Sequence, residues 1–273
     1  TIQETKAPKG FKLDANTYTL TLTDGENLVS VSDIPIFDPP FVLTKVDKDT
    51  TTPQGDATFS GAVFKWEYFP NNDWSGTPAR VWYFATDTSG RCVYNKDYLA
   101  PGYTSDALYV SPANVNQLPL GTVKITEVKN SLGYTVIASS LYCTIAEDST
   151  KASGAKHIWT EESKAILTQM ANGDWGVYEP IDINLIGSVA IDKFDAVTGQ
   201  TPQGEASLAG AVYEVVNSSA NPVKVEGKIY APGDVICELT TDAEGHAQTG
   251  NIFPVGTYTI RESSASPGYL LNT

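Results

Sequence analysis

"FVLTKVDKDTTTPQGDATFSGAVFKW", Phe41 to Trp66, returns later in the chain as "GSVAIDKFDAVTGQTPQGEASLAGAVYEV", Gly187 to Val215, with the same Pro-Gln-Gly turn and the same Gly-Ala-Val triplet. A match of this length marks two units that open alike. Within each opening the apolar residues alternate. Phe41, Leu43 and Lys45 fall on one face of an extended chain, and Val189, Ile191 and Lys193 do the same. Alternation at period two, bounded by Gly, Pro, Thr and Asp, reads as strand and turn.

A second phrase recurs: "TIQETKAPKGF" at Thr1 to Phe11, "KITEVKNSLGY" at Lys124 to Tyr134 and "TIRESSASPGY" at Thr259 to Tyr269. Each copy ends a strand-like alternation on a glutamate (Glu4, Glu127, Glu262) and continues through a polar stretch to a Gly-aromatic pair. A unit therefore runs lysine strand, body, glutamate strand, closing strand. The chain divides accordingly into residues 1–40, the end of one unit; 41–186, a complete unit with insertions; and 187–273, a unit lacking its closing strand.

The 273 residues include 41% hydrophobic ones, enough for packed cores. Abundant Thr, Val, Tyr, Gly and Pro with a single Met favour many short strands, so the fold class expected is all-β. One short helix is expected near 160–172, where "TEESKAILTQMANG" begins with a capping box, spaces Ile166, Leu167 and Met170 helically and ends on Gly173. A formal charge of −14 argues against nucleic acid and anionic membranes as partners. No run is long enough to span a membrane, and without signal peptide, sorting signal or anchor the sequence reads as a piece of a longer protein. Cys92, Cys143 and Cys237 have no metal-type spacing, and His157 and His246 are the only histidines, so no metal or cofactor is expected. Cys92 and Cys143 are read as buried thiols or as a disulfide pair.

The charges lie on apolar faces. Val123, Ile125 and Glu127 share one face, as do Tyr258, Ile260 and Glu262, so glutamate and lysine both point inward. An unpaired buried charge costs several kcal/mol, so the two must meet as a salt bridge or change protonation state. The second alternative is covalent: apolar enclosure favours a neutral amine nucleophile and a protonated carboxylic acid. An Asn or Asp from the closing strand, held against the amine, would then form an amide while the glutamate shuttles protons. In the first unit "NLVSVSDIPI" places Val29, Val31 and Asp33 on one face, with Asp33 as acceptor.

On these boxes, "LTKVDKDT" and "AIDKFDAVTG", "SGAVF" and "AGAVY", "ETKAPKGF", "TEVKNSLGY" and "RESSASPGY", the chain resembles the CnaB-type (SpaA-like, prealbumin-like) domains of Gram-positive surface proteins and pilins. The resemblance implies tandem Greek-key β-sandwich domains in a structural stalk or pilus-shaft module, not an enzyme, on the extracellular, cell wall-anchored surface of such a bacterium, closed by autocatalytic Lys–Asn or Lys–Asp isopeptide bonds. Carried over by position, Lys45 and Lys193 are the amines, Glu4, Glu127 and Glu262 the catalytic acids and Asp33 an acceptor. In the middle unit the closing strand falls in "WGVYEPIDINLIG". Aligning its Glu-Pro-Ile with the Ile-Pro-Ile after Asp33 puts Tyr178 at the acceptor place, and tyrosine cannot form an amide. Alignment by distance to the next unit favours Asp182, with Asn184 on the same strand face; Asn184 is preferred because ammonia loss is the commoner family chemistry.

Neighbouring domains of the same protein are the expected partners. The alternative function is an adhesin holding a host glycan or matrix protein on an aromatic surface within "FKWEYFPNNDWSGTPARVWYFATD", with Trp74 and Trp82 as candidates among Trp66, Tyr68 and Tyr83; alternation assigns most of these rings to a sandwich core instead, Trp74 in a polar turn being the exception. A glycosidase would need paired carboxylates in a cleft, which nothing outside the inward glutamates suggests. The unpartnered ends also match one another: Asp33 of one molecule facing Lys193 of the next would complete both.

Overall fold

The lysine strand Val42–Asp47 carries buried residues at nearly every position because it lies inside a sandwich, between two neighbours in its own sheet and a second sheet across the core. The structure is a computed structural model describing residues 1–38, 41–71, 73–111, 113–151, 154–179 and 185–272. In the middle sandwich one sheet runs Ala155–Trp159, Leu141–Glu147, Gly121–Lys129, Val63–Phe69, Arg80–Ala85, antiparallel throughout. The facing sheet runs Leu167–Gln169, Trp175–Glu179, Val42–Asp47, Arg91–Val93. Its closing strand Trp175–Glu179 lies parallel to the lysine strand, with Val177 opposite Lys45. Between the sheets Leu43, Phe64, Trp66, Trp82, Phe84, Ile125, Leu141 and Val177 form one core.

A second, smaller sandwich repeats the plan. Val212–Asn217 sits between Val235–Thr240 and Tyr258–Ser264, and the lysine strand Ala190–Asp192 pairs with His246–Gln248. Among the described residues no strand lies on the other edge of Ala190–Asp192, where the middle sandwich has its closing strand. Ile260 is consequently 43% exposed, whereas its counterpart Ile125 is 1% exposed.

The N-terminal segment forms the short pairs Ile2–Gln3 with Thr17–Tyr18 and Phe11–Lys12 with Ile34–Pro35. The pairing Ile2↔Tyr18 has the sequence offset of Ile125↔Leu141, so the first glutamate phrase enters the same hairpin as the second. The expected closing strand around Asp33 does not form: residues 27–33 are without strand structure, and Val31 is 54% exposed. A strand needs a neighbour to take its backbone hydrogen bonds, and no described lysine strand stands beside this one. Ile36, by contrast, is buried in the core of the middle sandwich, and Phe37–Asp38 pairs with Leu118–Pro119.

The helix is much shorter than its pattern. Thr160 caps it, accepting from the Ser163 N–H, but it spans only Glu161–Lys164. Leu167–Gln169 is instead an edge strand on the closing strand, with Leu167 buried opposite Val177. Pairing with the sheet outweighs weak local helical preference. The three cysteines form no disulfide with one another.

The aromatic stretch is core rather than platform. Trp82, proposed as a binding residue, is 0% exposed and packs edge-on against Tyr94 at 4.9 Å. Trp66 is equally enclosed, stacked on Phe41. Alternation along Arg80–Ala85 puts Trp82 and Phe84 inward. Trp74 is half-buried, its ring against Tyr142 at 5.2 Å.

Candidate functional site

Inside the middle sandwich Lys45 Nζ meets Glu127 Oε1 at 2.7 Å, and both side chains are completely enclosed. The glutamate is aimed there by a register shift. Glu127 is opposite Phe64 but Lys129 is opposite Val63, so Val128 bulges from the strand. The same shift follows Glu262, which faces Tyr213 while Ser264 faces Val212. The aromatic residue after each Gly-Ala-Val, Phe64 or Tyr213, thus opposes the glutamate, and the valine opposes the residue beyond the bulge.

The second carboxylate oxygen is held alike in all three phrases. Glu127 Oε2 accepts the Ile137 N–H at 2.8 Å, Glu262 Oε2 the Asn272 N–H at 2.7 Å and Glu4 Oε2 the Asp14 N–H at 2.6 Å, each donor ten residues after its glutamate. In the two sandwiches one oxygen takes this backbone N–H while the other stays directed at the lysine. In the last sandwich that partner is Lys193, whose Nζ lies 2.8 Å from Glu262 Oε1.

A second carboxylate braces each lysine–glutamate site. Asp47, buried two residues beyond Lys45, accepts from Gln54 Nε2 at 3.0 Å and from the Tyr134 hydroxyl at 3.2 Å. Tyr134 lies with its ring 5.9 Å from Lys45 Nζ. The last sandwich has the same set: Asp195 accepts from Gln203 Nε2 and Tyr269 OH, and Tyr269 faces Lys193. The glutamine comes from the Pro-Gln-Gly turn and the tyrosine from the Gly-aromatic pair. Both words were visible as repeats, but nothing in either signals that they converge on one aspartate. The glycine of the pair is needed for space, since a Cβ on Gly133 would sit 2.4 Å from Ala57 Cβ, with φ at +88°.

The pair in the last sandwich is ionic. Burial works to raise the Glu262 carboxyl, but hydrogen bonds from Lys193 and the Asn272 N–H hold it below its ordinary value. Burial likewise works to lower Lys193, and the Glu262 hydrogen bond holds it above its ordinary value. Mutual contact therefore overrides the neutralising effect expected from apolar enclosure. Asp195 is held well down by the Thr198 and Val197 N–H groups.

The signs give a pH window. A lowered carboxyl stabilises the fold above its unfolded value near 4.5 and loses that contribution as pH falls through the folded value. A raised lysine contributes below 10.5 and loses it as pH rises through its folded value. The thermal transition of the last sandwich should therefore drop in acid below about pH 4.5, and Glu262→Gln should flatten that acid limb. An unchanged acid limb in the variant would contradict the pairing.

Asp182 and Asn184, the acceptor candidates, lie outside the described residues. Tyr178 is opposite Val46, not Lys45, and strand alternation turns it to the other face. Asp33 is half-buried just before Ile34–Pro35, and Glu4 is also half-buried. Three sequence-derived sets are thus placed: Lys45 with Glu127, Lys193 with Glu262, and Glu4 on its own loop.

Residues 187–273 match the SpaA family model, described as a prealbumin-like fold domain. The match falls on the last sandwich, which is similar to SpaA domains. No curated protein sequence matches the chain. Among solved structures the chain is similar to the Bacillus anthracis TIE protein, at 19% identity and TM-score 0.47, covering 99% of this chain and 37% of that one. It is also similar to the pilus adhesin SpaC of Lactobacillus rhamnosus GG (13%, TM-score 0.39, 86% of this chain and 25% of that one) and to BcpA, the major pilin subunit of Bacillus cereus (14%, TM-score 0.29, 99% and 78%). The chain thus spans about a third of the length of the TIE protein and a quarter of SpaC.

Proposed function

We propose that the chain is a structural module of a bacterial surface stalk or pilus, built of units 1–40, 41–186 and 187–273, whose middle unit is locked by an amide between Lys45 and its closing strand. The observation that carries this reading is the completely enclosed Lys45–Glu127 pair, 2.7 Å apart, beside a parallel closing strand. First and last strands of a unit are neighbours there, so a covalent tie between them would carry tension without loading the hydrogen-bonded sheet.

The chemistry balances with the groups present in the sequence. Glu127 accepts a proton from the Lys45 ammonium across their hydrogen bond, leaving an amine and a carboxylic acid. The amine attacks Cγ of Asn184, or of Asp182, while the acid polarises the side-chain carbonyl. Glu127 passes that proton to the departing nitrogen or oxygen, then relays the second Nζ proton as the Cγ–N bond of Asn184 or a Cγ–O bond of Asp182 breaks; Nζ keeps one hydrogen in the new amide, and its two protons leave with the departing group, as ammonium or as water. The complete enclosure of Lys45 and Glu127 holds amine and acid together away from bulk solvent. Lys193 and Glu262 of the last sandwich form the same pair, ready for an acceptor carried on a closing strand. The structures to which the chain is similar include a pilus adhesin and a major pilin, which agrees with a surface setting. The decisive test is whether the denatured protein is lighter than its sequence by one ammonia or one water.

A further inference from the structure

We infer that the Pro-Gln-Gly turn, Pro53 to Asp56, is an orientation lock between successive units, recognising the end of the next sandwich by its backbone. The turn of the middle unit is plugged into the loop 219–224 and the turn 255–257 of the last sandwich. Gly55 N–H donates to Pro222 O and Asp56 N–H to Val255 O, each at 3.0 Å. In the opposite direction Lys224 N–H donates to Gln54 Oε1 at 2.9 Å, and Asn221 Nδ2 donates to Gly55 O at 3.0 Å. Thr257 Oγ1 donates to Asp56 Oδ2 at 2.6 Å, and Lys224 Nζ meets Asp49 at 2.7 Å.

These bonds run both ways across the joint and are directional, so they fix rotation as well as separation. The units are tethered through the few residues between Glu179 and Gly187, which keeps the effective concentration of the docking face high. Modest contacts then suffice to hold one orientation. Gln54 also ties the lock to the lysine site, since the same amide donates to Asp47.

The lock is preformed. Gln203, Gly204 and Glu205 repeat it in the last sandwich, with φ at Gly204 of +59° against +57° at Gly55 and the same glutamine-to-aspartate bond. There the turn is exposed, whereas Gln54 and Gly55 are buried. A Cβ at Gly55 would stand 2.2 Å from Val255 O, but one at Gly204 would meet nothing within 4 Å. Docked and open forms thus share a conformation, and glycine is needed at Gly55 for close approach as well as for its positive φ.

The test is 15N relaxation on the full chain. The unmodified protein should show the middle sandwich and the last sandwich sharing one rotational diffusion tensor. Gly55→Val should give two tensors with both units folded, while Gly204→Val, which carries the same backbone strain in open space, should keep one. Thr257→Glu, an exposed change that sets a carboxylate against Asp56, should also release the joint should Gly55→Val unfold its own unit. A single tensor in folded Gly55→Val or in Thr257→Glu, or two tensors in the unmodified chain, would overturn the lock.

Discussion

Glu127→Ala is expected to lower the melting temperature of the middle unit by roughly 10–20 °C and, in the same protein, to restore the full sequence mass. Two effects add to the stability loss. Removing one member of a buried ion pair strands the other, at about 3–5 kcal/mol, and here it also leaves the Ile137 N–H without its acceptor. Loss of the crosslink is the second. A bond from Lys45 to the region of Asn184 closes a loop on the order of 140 residues, worth about 5 kcal/mol if it acts on the unfolded chain as a disulfide does. The two terms are coupled and will not sum, because the bond forms through the pair itself. Glu127→Gln separates them: it keeps an acceptor for Ile137 but cannot shuttle protons, so it should restore the mass with a smaller loss of stability. Destabilisation of Glu127→Ala with no change in mass between variant and parent would leave a buried salt bridge as the whole content of the site.

Trp82→Ala is expected to cost about 3–5 kcal/mol, a fall of roughly 6–20 °C, because it empties a large volume from a core with no water-accessible side. Trp82 is completely enclosed and touches Tyr94, Tyr68 and Tyr109. Trp74→Ala, at a half-buried ring, should cost distinctly less. Thermal unfolding monitored by circular dichroism measures both. A Trp82→Ala protein as stable as its parent would return this aromatic stretch to the role of a ligand surface.

The lysine and glutamate strands were legible because both faces of the argument were present in the residues: period-two alternation placed Lys45 with Phe41 and Leu43, and Glu127 with Val123 and Ile125, and all six are buried. Three other readings depended on neighbours that local sequence does not name. Thr160–Gly173 carries a helix start, but the edge of the closing strand claims Leu167–Gln169. Residues 27–33 have strand alternation and no adjoining lysine strand among the described residues. Trp82 stands in an aromatic-rich run whose surface or core assignment turns on a single register. The bracing aspartates were missed for a different reason: Asp47 and Asp195 read as turn residues, and only the fold brings Gln54 and Tyr134, or Gln203 and Tyr269, to them. The ionic state of Lys193 and Glu262 likewise follows from a 2.8 Å contact, which periodicity implies in direction but not in distance.

The central claim is the covalent closure of the middle unit, and peptide mapping of the denatured, unmodified protein by tandem mass spectrometry tests it most directly. The expected result is an intact mass short by one ammonia or one water, together with a branched peptide joining the Lys45 segment to the segment containing Asp182 and Asn184. Loss of ammonia would assign Asn184 and loss of water Asp182. A full sequence mass, with Lys45 recovered in a linear peptide and open to amine labelling after unfolding, would contradict the account.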